Sequence, residues 1–347
     1  MLQTEILRVP SPIGHEAEIA RAAALLRRGE LVVFPTETVY GIGGNATDEN
    51  AARAIYAAKG RPSDNPLIIH IARPEDAEPY AVTSETYYAL AKTFMPGPLT
   101  VILPRKDTVP LSVTGGLETV AVRCPAHPVA NALIAAAGVP IAAPSANRSG
   151  KPSPTCAAHV IEDLDGRVSM IIDGGECEFG LESTIIKLDG DEGTLLRPGA
   201  VTYDALCRIC RRVQIAPAVL SMLAEGERPI SPGMKYRHYA PNAALTLLDG
   251  DADRVLDYML EQAKQPDTGF LCYDEECAHF PAGTPLFSLG PRNDLRVQSK
   301  RLFAALRLAD GCPAIRKLYA HLPPKEGLGL ALYNRILRAA AHQIRKI

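Results

Sequence analysis

Tryptophan is absent from the 347 residues, and aromatic side chains make up only 5% of the chain. A broad base-stacking surface for single-stranded nucleic acid is therefore not expected. Positive charge is not in surplus either. The 37 basic and 39 acidic residues leave a net charge of -2, whereas proteins that mainly neutralise a phosphate backbone carry a basic excess. Local basic patches stay open. No run is long and apolar enough to span a bilayer, and the opening MLQTEILRVPSPIGHEAEIARAA has no signal-type apolar core, so a soluble, cytosolic protein is expected. The eight cysteines are scattered: Cys207 and Cys210 form one C-x-x-C, Cys272 and Cys277 lie five apart, and no second pair at metal spacing occurs. Reduced, mostly buried thiols follow, and no metal site built from side chains.

Two nucleotide-binding signatures are also missing. There is no G-x-x-x-x-G-K-[ST] run, so ATP binding would need another scaffold. Gly41-Ile42-Gly43-Gly44-Asn45-Ala46 matches G-x-G-x-x-[GA] in spelling alone. Six residues separate it from the strand ending at Phe34, the next helix starts only after Asp48, and Arg61 stands where an acid belongs.

What is present is 47% apolar content over a length that suits two domains. Helical periodicity runs from Glu16 to Arg28 and stops at Gly29; Asp48 caps a helix to Ala58; Ser84 caps one to Phe94; further helices fit Pro128 to Ala137 and Thr155 to Leu164. Strands fit Leu31 to Phe34, Leu67 to Ile71, Leu99 to Leu103, Thr119 to Arg123, Pro140 to Ala143, Met170 to Ile172 and Thr184 to Leu188. The alternation predicts an α/β fold with a twisted, mixed open sheet. A helix near Tyr203 to Arg211 leads to a Pro-, Gly- and base-rich stretch from Glu225 to Asn242, the best linker candidate. Past Ala243 a smaller α/β run begins, with strands at Ala244 to Leu248, Gly269 to Cys272 and Leu286 to Leu289, and helices at Ala252 to Lys264, Asp294 to Leu308 and Leu328 to Ile344.

Several polar groups sit where core packing does not need them. Lys59 and Arg61 lie at a helix end, with Pro62, Asn65 and Pro66 shaping the next turn. They complement the helix dipole or face a phosphate. Ser145 and Asn147 follow an apolar strand, as either a capped turn or an anion cradle. Thr119 and Arg123 end one strand on a shared face, and Arg123 suits either a structural acid or a ligand carboxylate. Asp173-Gly174-Gly175 to Ser183-Thr184 is a strand-linking loop that would allow close approach to a ligand. SPGMKYRHYAP, from Ser231 to Pro241, is unusually rich in Tyr, His, Arg and Lys for a linker.

Read together, FPTETVYGIG, KGRPSDNPLIIH, PGPLT, VAVRCP, APSANRSGKPSPT, GLESTII, LLRPGA and SPGMKYRHYAP resemble the L-threonylcarbamoyladenylate synthases, over nearly the whole chain after about residue 10. The likeness is to the long form. It implies a YrdC-like catalytic domain at 10–205, a linker or lid at 206–243 and a small Rossmann-like domain at 244–347. The resemblance implies formation of threonylcarbamoyl-AMP and pyrophosphate from L-threonine, bicarbonate or CO2, and ATP. Partner transferases then use the product on the tRNA adenosine beside the anticodon. By the same resemblance, ATP would contact Lys59, Arg61, Ser63, Thr119, Ser145, Asn147, Ser153, Arg197 and the linker residues Tyr236, Arg237, His238 and Tyr239. Lys59 and Arg61 would carry catalysis. Threonine would be surrounded by Thr36, His70, Arg123, Ala143 and Ser183. Mg²⁺ would arrive with ATP and be held mainly by phosphates and water. Two other readings stay open: an RNA-binding YrdC-like module, and a related carbamoyl-transfer domain.

Overall fold

The computed structural model describes residues 2–221 and 239–347, in two compact units. One comprises Met1–Ser149 with Ser153–Lys235, the other Gly150–Pro152 with Tyr236–Ile347. The first runs β1 (Glu5–Arg8), α1 (Glu16–Arg27), β2 (Val32–Phe34), β3 (Gly41–Asn45), α2 (Glu49–Lys59), β4 (Ile68–His70), α3 (Glu85–Phe94), β5 (Leu99–Pro104), β6 (Thr119–Arg123), α4 (Pro128–Ala137), β7 (Ile141–Ala142), α5 (Ala157–Leu164), β8 (Met170–Asp173), β9 (Thr184–Asp189), β10 (Glu192–Arg197), α6 (Tyr203–Cys207) and β11 (Arg212–Ile215).

These strands form one mixed sheet, ordered β1-β8-β2-β3-β7-β4-β6-β5-β9-β10-β11. The predicted caps are in place: the side chain of Asp48 accepts from Asn50 N–H, and that of Ser84 from Tyr87 N–H. Small residues let α1 and α4 pack closely over the sheet. Ile19, Ala22, Leu26, Val129, Leu133 and Ile134 bury against Val32, Phe34, Met170 and Ile172. Each large side chain buried there contributes about 1.5–3 kcal/mol.

The glycine run Gly41–Asn45, outside the predicted strands, is strand β3. It pairs antiparallel with β2, Val33 opposite Ile42, and its far end pairs with β7. Glycine has poor strand propensity, but side chains would not fit. A Cβ on Gly43 would lie 2.7 Å from Phe34 Cε1 and 2.8 Å from Ile141 Cγ2. Residues 206–215, expected to open the linker, belong instead to the first unit, because β11 pairs parallel with β10. β1 and β10 also lay outside the predicted elements.

The second unit runs β12 (Ala244–Asp249), α7 (Ala252–Gln262), β13 (Thr268–Cys272), β14 (Leu286–Ser288), α8 (Leu295–Asp310), β15 (Lys317–His321), α9 (Gly329–Ala339) and β16 (Ile344–Lys346). Its strands are all parallel, in the order β14-β13-β15-β12-β16, consistent with a small Rossmann-like domain. The final helix stops before the predicted Ile344. Ala341 and His342 adopt positive φ, 47° and 63°, which an α-helix cannot continue through, and the chain turns into β16. No helix among the described residues is long and apolar enough to cross a membrane.

Gly43→Ala is expected to destabilise the protein by about 1–3 kcal/mol through overpacking. A thermal melt at the wild-type temperature would contradict the packing assigned to β3.

Candidate active site

Strand register builds the first part of the site. His70 pairs with Arg123 across β4 and β6, and Arg123 with Thr100 across β6 and β5. Residues in direct register share a face, so the three side chains stand in one row. His70 is buried, and its Nδ1 lies 3.2 Å from the Ile68 carbonyl. Burial, reinforced by the nearby Arg123 charge, pushes its pKa down to about 3, so the imidazole is neutral at ordinary pH. Arg123 donates from Nη2 to Glu37 Oε1 at 2.6 Å and approaches the Gly97 carbonyl at 3.5 Å.

The row continues through hydroxyls. Thr100 Oγ1 and Ser183 Oγ share a hydrogen bond of 2.7 Å. Arg197 donates to the Ser183 carbonyl at 2.9 Å and to its hydroxyl at 3.0 Å. One residue earlier, Glu182 accepts from the Ser153 hydroxyl at 2.5 Å. Thr36 is buried in the loop after β2, donating to the Val39 carbonyl at 2.6 Å and accepting from Val39 N–H at 3.2 Å. Its neighbour Glu37 joins that loop to Arg123.

A second cluster gathers at the end of α2. Asp48 caps the helix start, and Gly60, at φ 61°, terminates it in the left-handed conformation that glycine permits. This delivers Lys59 into the loop after β7, where its buried ammonium donates to the carbonyls of Ser145 and Asn147, each at 2.5 Å. Ser145 Oγ donates to Asn147 Oδ1, and Ser149 N–H returns to the Lys59 carbonyl at 2.9 Å. Arg61 turns onto the Asn65 and Pro66 carbonyls at 3.3 and 3.0 Å, with Ser63 exposed in the turn between.

The predicted residues thus sort into two regions. Arg61, Ser63 and Thr119 lie toward the start of β4, where Leu67 N–H bonds the Val113 carbonyl. Arg123 lies four residues further along β6, roughly 13 Å away at 3.3 Å per residue. Ala143, whose N–H donates to Ile68 O, sits beside the first residue of β4. Ser153 and Arg197, assigned by resemblance to ATP, are bonded through Glu182 and Ser183 to the threonine-assigned set. Tyr236, Arg237 and His238 fall outside the described residues. Tyr239 is described, and its ring packs on Phe303 within the second unit at 4.9 Å between centroids.

Sequence reasoning missed Glu37, Thr100, Glu182 and Tyr40. Tyr40 fastens the loop after β2 to the loop after β8. Burial raises its pKa, and the protonated hydroxyl donates to Gly175 O at 2.6 Å. A signal existed for the two acids, since each glutamate stands inside an otherwise apolar or hydroxyl run, FPTETVYG and GLESTII.

Comparison with known proteins gives the site its context. A family model described as telomere recombination matches residues 24–199, and one described as the C-terminal domain of threonylcarbamoyl-AMP synthase matches 201–341. The threonylcarbamoyl-AMP synthase of Bacillus subtilis is 44% identical over 334 residues, covering 95% of each chain. That of Pyrococcus abyssi is 44% identical over 341 residues, covering 96% of each. The crystal structure of Pyrococcus abyssi Sua5 complexed with L-threonine superposes with a TM-score of 0.92 at 43% identity, covering 99% of this chain and all of that one. Fold, site and relatives define an α/β enzyme of the nucleotidyltransferase class. The two family models follow one another along the chain, the first ending at residue 199 and the second starting at 201. The chain belongs to the threonylcarbamoyl-AMP synthase family, in its two-domain form, which serves threonylcarbamoyladenosine biosynthesis in tRNA.

The neutral state of His70 has a consequence for stability. The unfolded chain takes up a proton near pH 6.5, whereas the folded protein resists until about pH 3. Between those values the unfolded state holds the extra proton, so stability falls as pH drops through the window. His127, also held low by burial, acts in the same direction. His70→Gln is expected to flatten denaturant-melt stability across this range. A slope equal to wild type would contradict a buried neutral imidazole.

Proposed function

We propose that the chain condenses L-threonine, bicarbonate or carbon dioxide, and ATP into threonylcarbamoyl-AMP and pyrophosphate. The observation that carries this reading is the division of the site into two chemically different ends. A buried guanidinium beside a neutral imidazole suits an amino acid carboxylate and hydroxyl. The end of α2 with its following turn, the start of β6 and the loop after β7, bearing Lys59, Arg61, Ser63, Thr119, Ser145 and Asn147, suit a triphosphate. The likeness to a relative solved with L-threonine supports the amino acid half.

In this reading Thr36, His70, Arg123, Ala143 and Ser183 enclose threonine, and Ser153 and Arg197 stand toward the nucleotide. The ammonium first gives up a proton, and the neutral amine adds to carbon dioxide, releasing a second proton to water, to give a carbamate. A carbamate oxygen then attacks the α-phosphorus, and the bond to the β-bridging oxygen breaks to release pyrophosphate. Such a transfer needs positioning and charge neutralisation more than a side-chain nucleophile. Lys59 acts by fixing the 145–147 loop as well as by its charge, and Arg61 faces the phosphates from its turn. ATP enters as its Mg²⁺ complex. A hard cation of this kind takes phosphate and water oxygens. The expected partners are the transferases that carry the threonylcarbamoyl group to tRNA, with no stable grip on nucleic acid by this chain.

Pyrophosphate release is expected to require L-threonine and bicarbonate together with ATP; release when either is omitted would refute the proposal. Arg61→Ala should lose nearly all turnover while remaining folded. Lys59→Ala should lose turnover and some stability, because the half-buried Ser145 carbonyl and the buried Asn147 carbonyl lose their donor. Near-normal rates in either variant would refute the phosphate-end assignment. Serine, lacking one methyl, should be used about tenfold to a few hundredfold less efficiently, read as kcat/KM.

A further inference from the structure

Arg123 already has an anionic partner. Its Nη2 lies 2.6 Å from Oε1 of Glu37, and both side chains are buried, 5% and 4% exposed. The other oxygen of that carboxylate, Oε2, is shielded from solvent and has no hydrogen-bond partner. A buried carboxylate oxygen without a donor is uncommon, because its lost hydration goes uncompensated. The backbone around it is fixed, with Phe179 N–H donating to the Glu37 carbonyl at 2.9 Å. Among the titratable groups that feel the Glu37 charge are Cys124, Cys177 and His127. Burial keeps the two thiols protonated and holds the imidazole below its ordinary pKa, so none of these three supplies a standing positive charge.

A cation and an anion side by side are the complement of an α-amino acid, whose carboxylate and ammonium are joined through one carbon. We propose that Glu37 and Arg123 together receive the α-amino acid group of the substrate, Arg123 binding the carboxylate and Oε2 of Glu37 accepting a hydrogen bond from the ammonium. This rests on reading this end of the site as the threonine pocket. The charge balance gives Glu37 a specificity role. A carboxylate arriving without an ammonium meets a guanidinium whose charge Glu37 already offsets. A zwitterion is neutral as a whole and brings one partner for each group. Oε2 is covered in this structure, so its exposure accompanies ligand entry.

The test is calorimetric titration of wild type and Glu37→Gln with L-threonine and with 2,3-dihydroxybutanoate, the analogue carrying a hydroxyl in place of the α-amine. Wild type is expected to prefer threonine by about tenfold or more, the scale of one charge-assisted hydrogen bond. Glu37→Gln should lose about that factor for threonine while holding the analogue as well as wild type does or better, which abolishes the preference. Equal weakening of both ligands would overturn the proposal, leaving Glu37 as a residue that only orients Arg123. A wild type that does not prefer threonine would overturn it even if the variant failed to fold. Wild type that binds neither ligand, yet binds ATP, would remove the threonine-pocket reading itself, a result distinct from loss of preference.

Discussion

The loop from Pro35 to Tyr40 holds the catalytic unit together at its centre. It is fastened on several sides by groups far away in sequence. Tyr40 N–H donates to Pro154 O at 3.0 Å, and its carbonyl accepts from Ala146 N–H at 2.8 Å. Its hydroxyl reaches Gly175, the Glu37 carbonyl accepts from Phe179, and the Glu37 carboxylate meets Arg123. Six residues thereby tie together the ends of β2, β6, β7 and β8. Shifting any one of these partners disturbs the others, which is how a site assembled from loops gains the rigidity of the sheet that carries it.

Charge burial follows from that arrangement. Lys59, Arg123 and Arg197 are all nearly inaccessible to solvent, and each ends on carbonyls, hydroxyls or a carboxylate. A buried charge adds little net stability even when paired, and losing its partner is far more damaging than never having had one. Such groups make sense as preorganised dipoles and charges set in place before substrates arrive. The neutral His70 fits the same pattern, because a second cation beside Arg123 would be repelled in a medium of low dielectric.

Much of this fold was legible in the chain. The helices after Asp48 and Ser84, the strand from Thr119 to Arg123 and the helix from Pro128 to Ala137 lie where caps and periodicity put them. β3 was not legible, because glycine carries no side chain to reveal a period of two, and its placement under Phe34 is a matter of space between distant residues. β15 and β16 were also missed. Both are short, and β16 is two-thirds charged (Ile344, Arg345, Lys346); pairing with β12 makes them strands. The candidate site shows the same division. Lys59, Arg61, Ser145, Asn147 and Arg123 stand out as polar groups beside apolar runs, whereas Thr100 reads as one more residue of a buried strand.

By itself, the order of residue types determined the α/β class, the two-unit organisation and the segments that carry polar groups next to buried strands. Those depend on local propensity, capping and hydrophobic period, all of which act within a few residues. Only the tertiary structure decided that Glu37 meets Arg123 across 86 positions of chain, that His70 stands beside that guanidinium, and that Lys59 closes on the loop at Ser145. The physical reason is that sheet order and register, which place strands 3, 7, 4 and 6 side by side, come from the packing of the whole core.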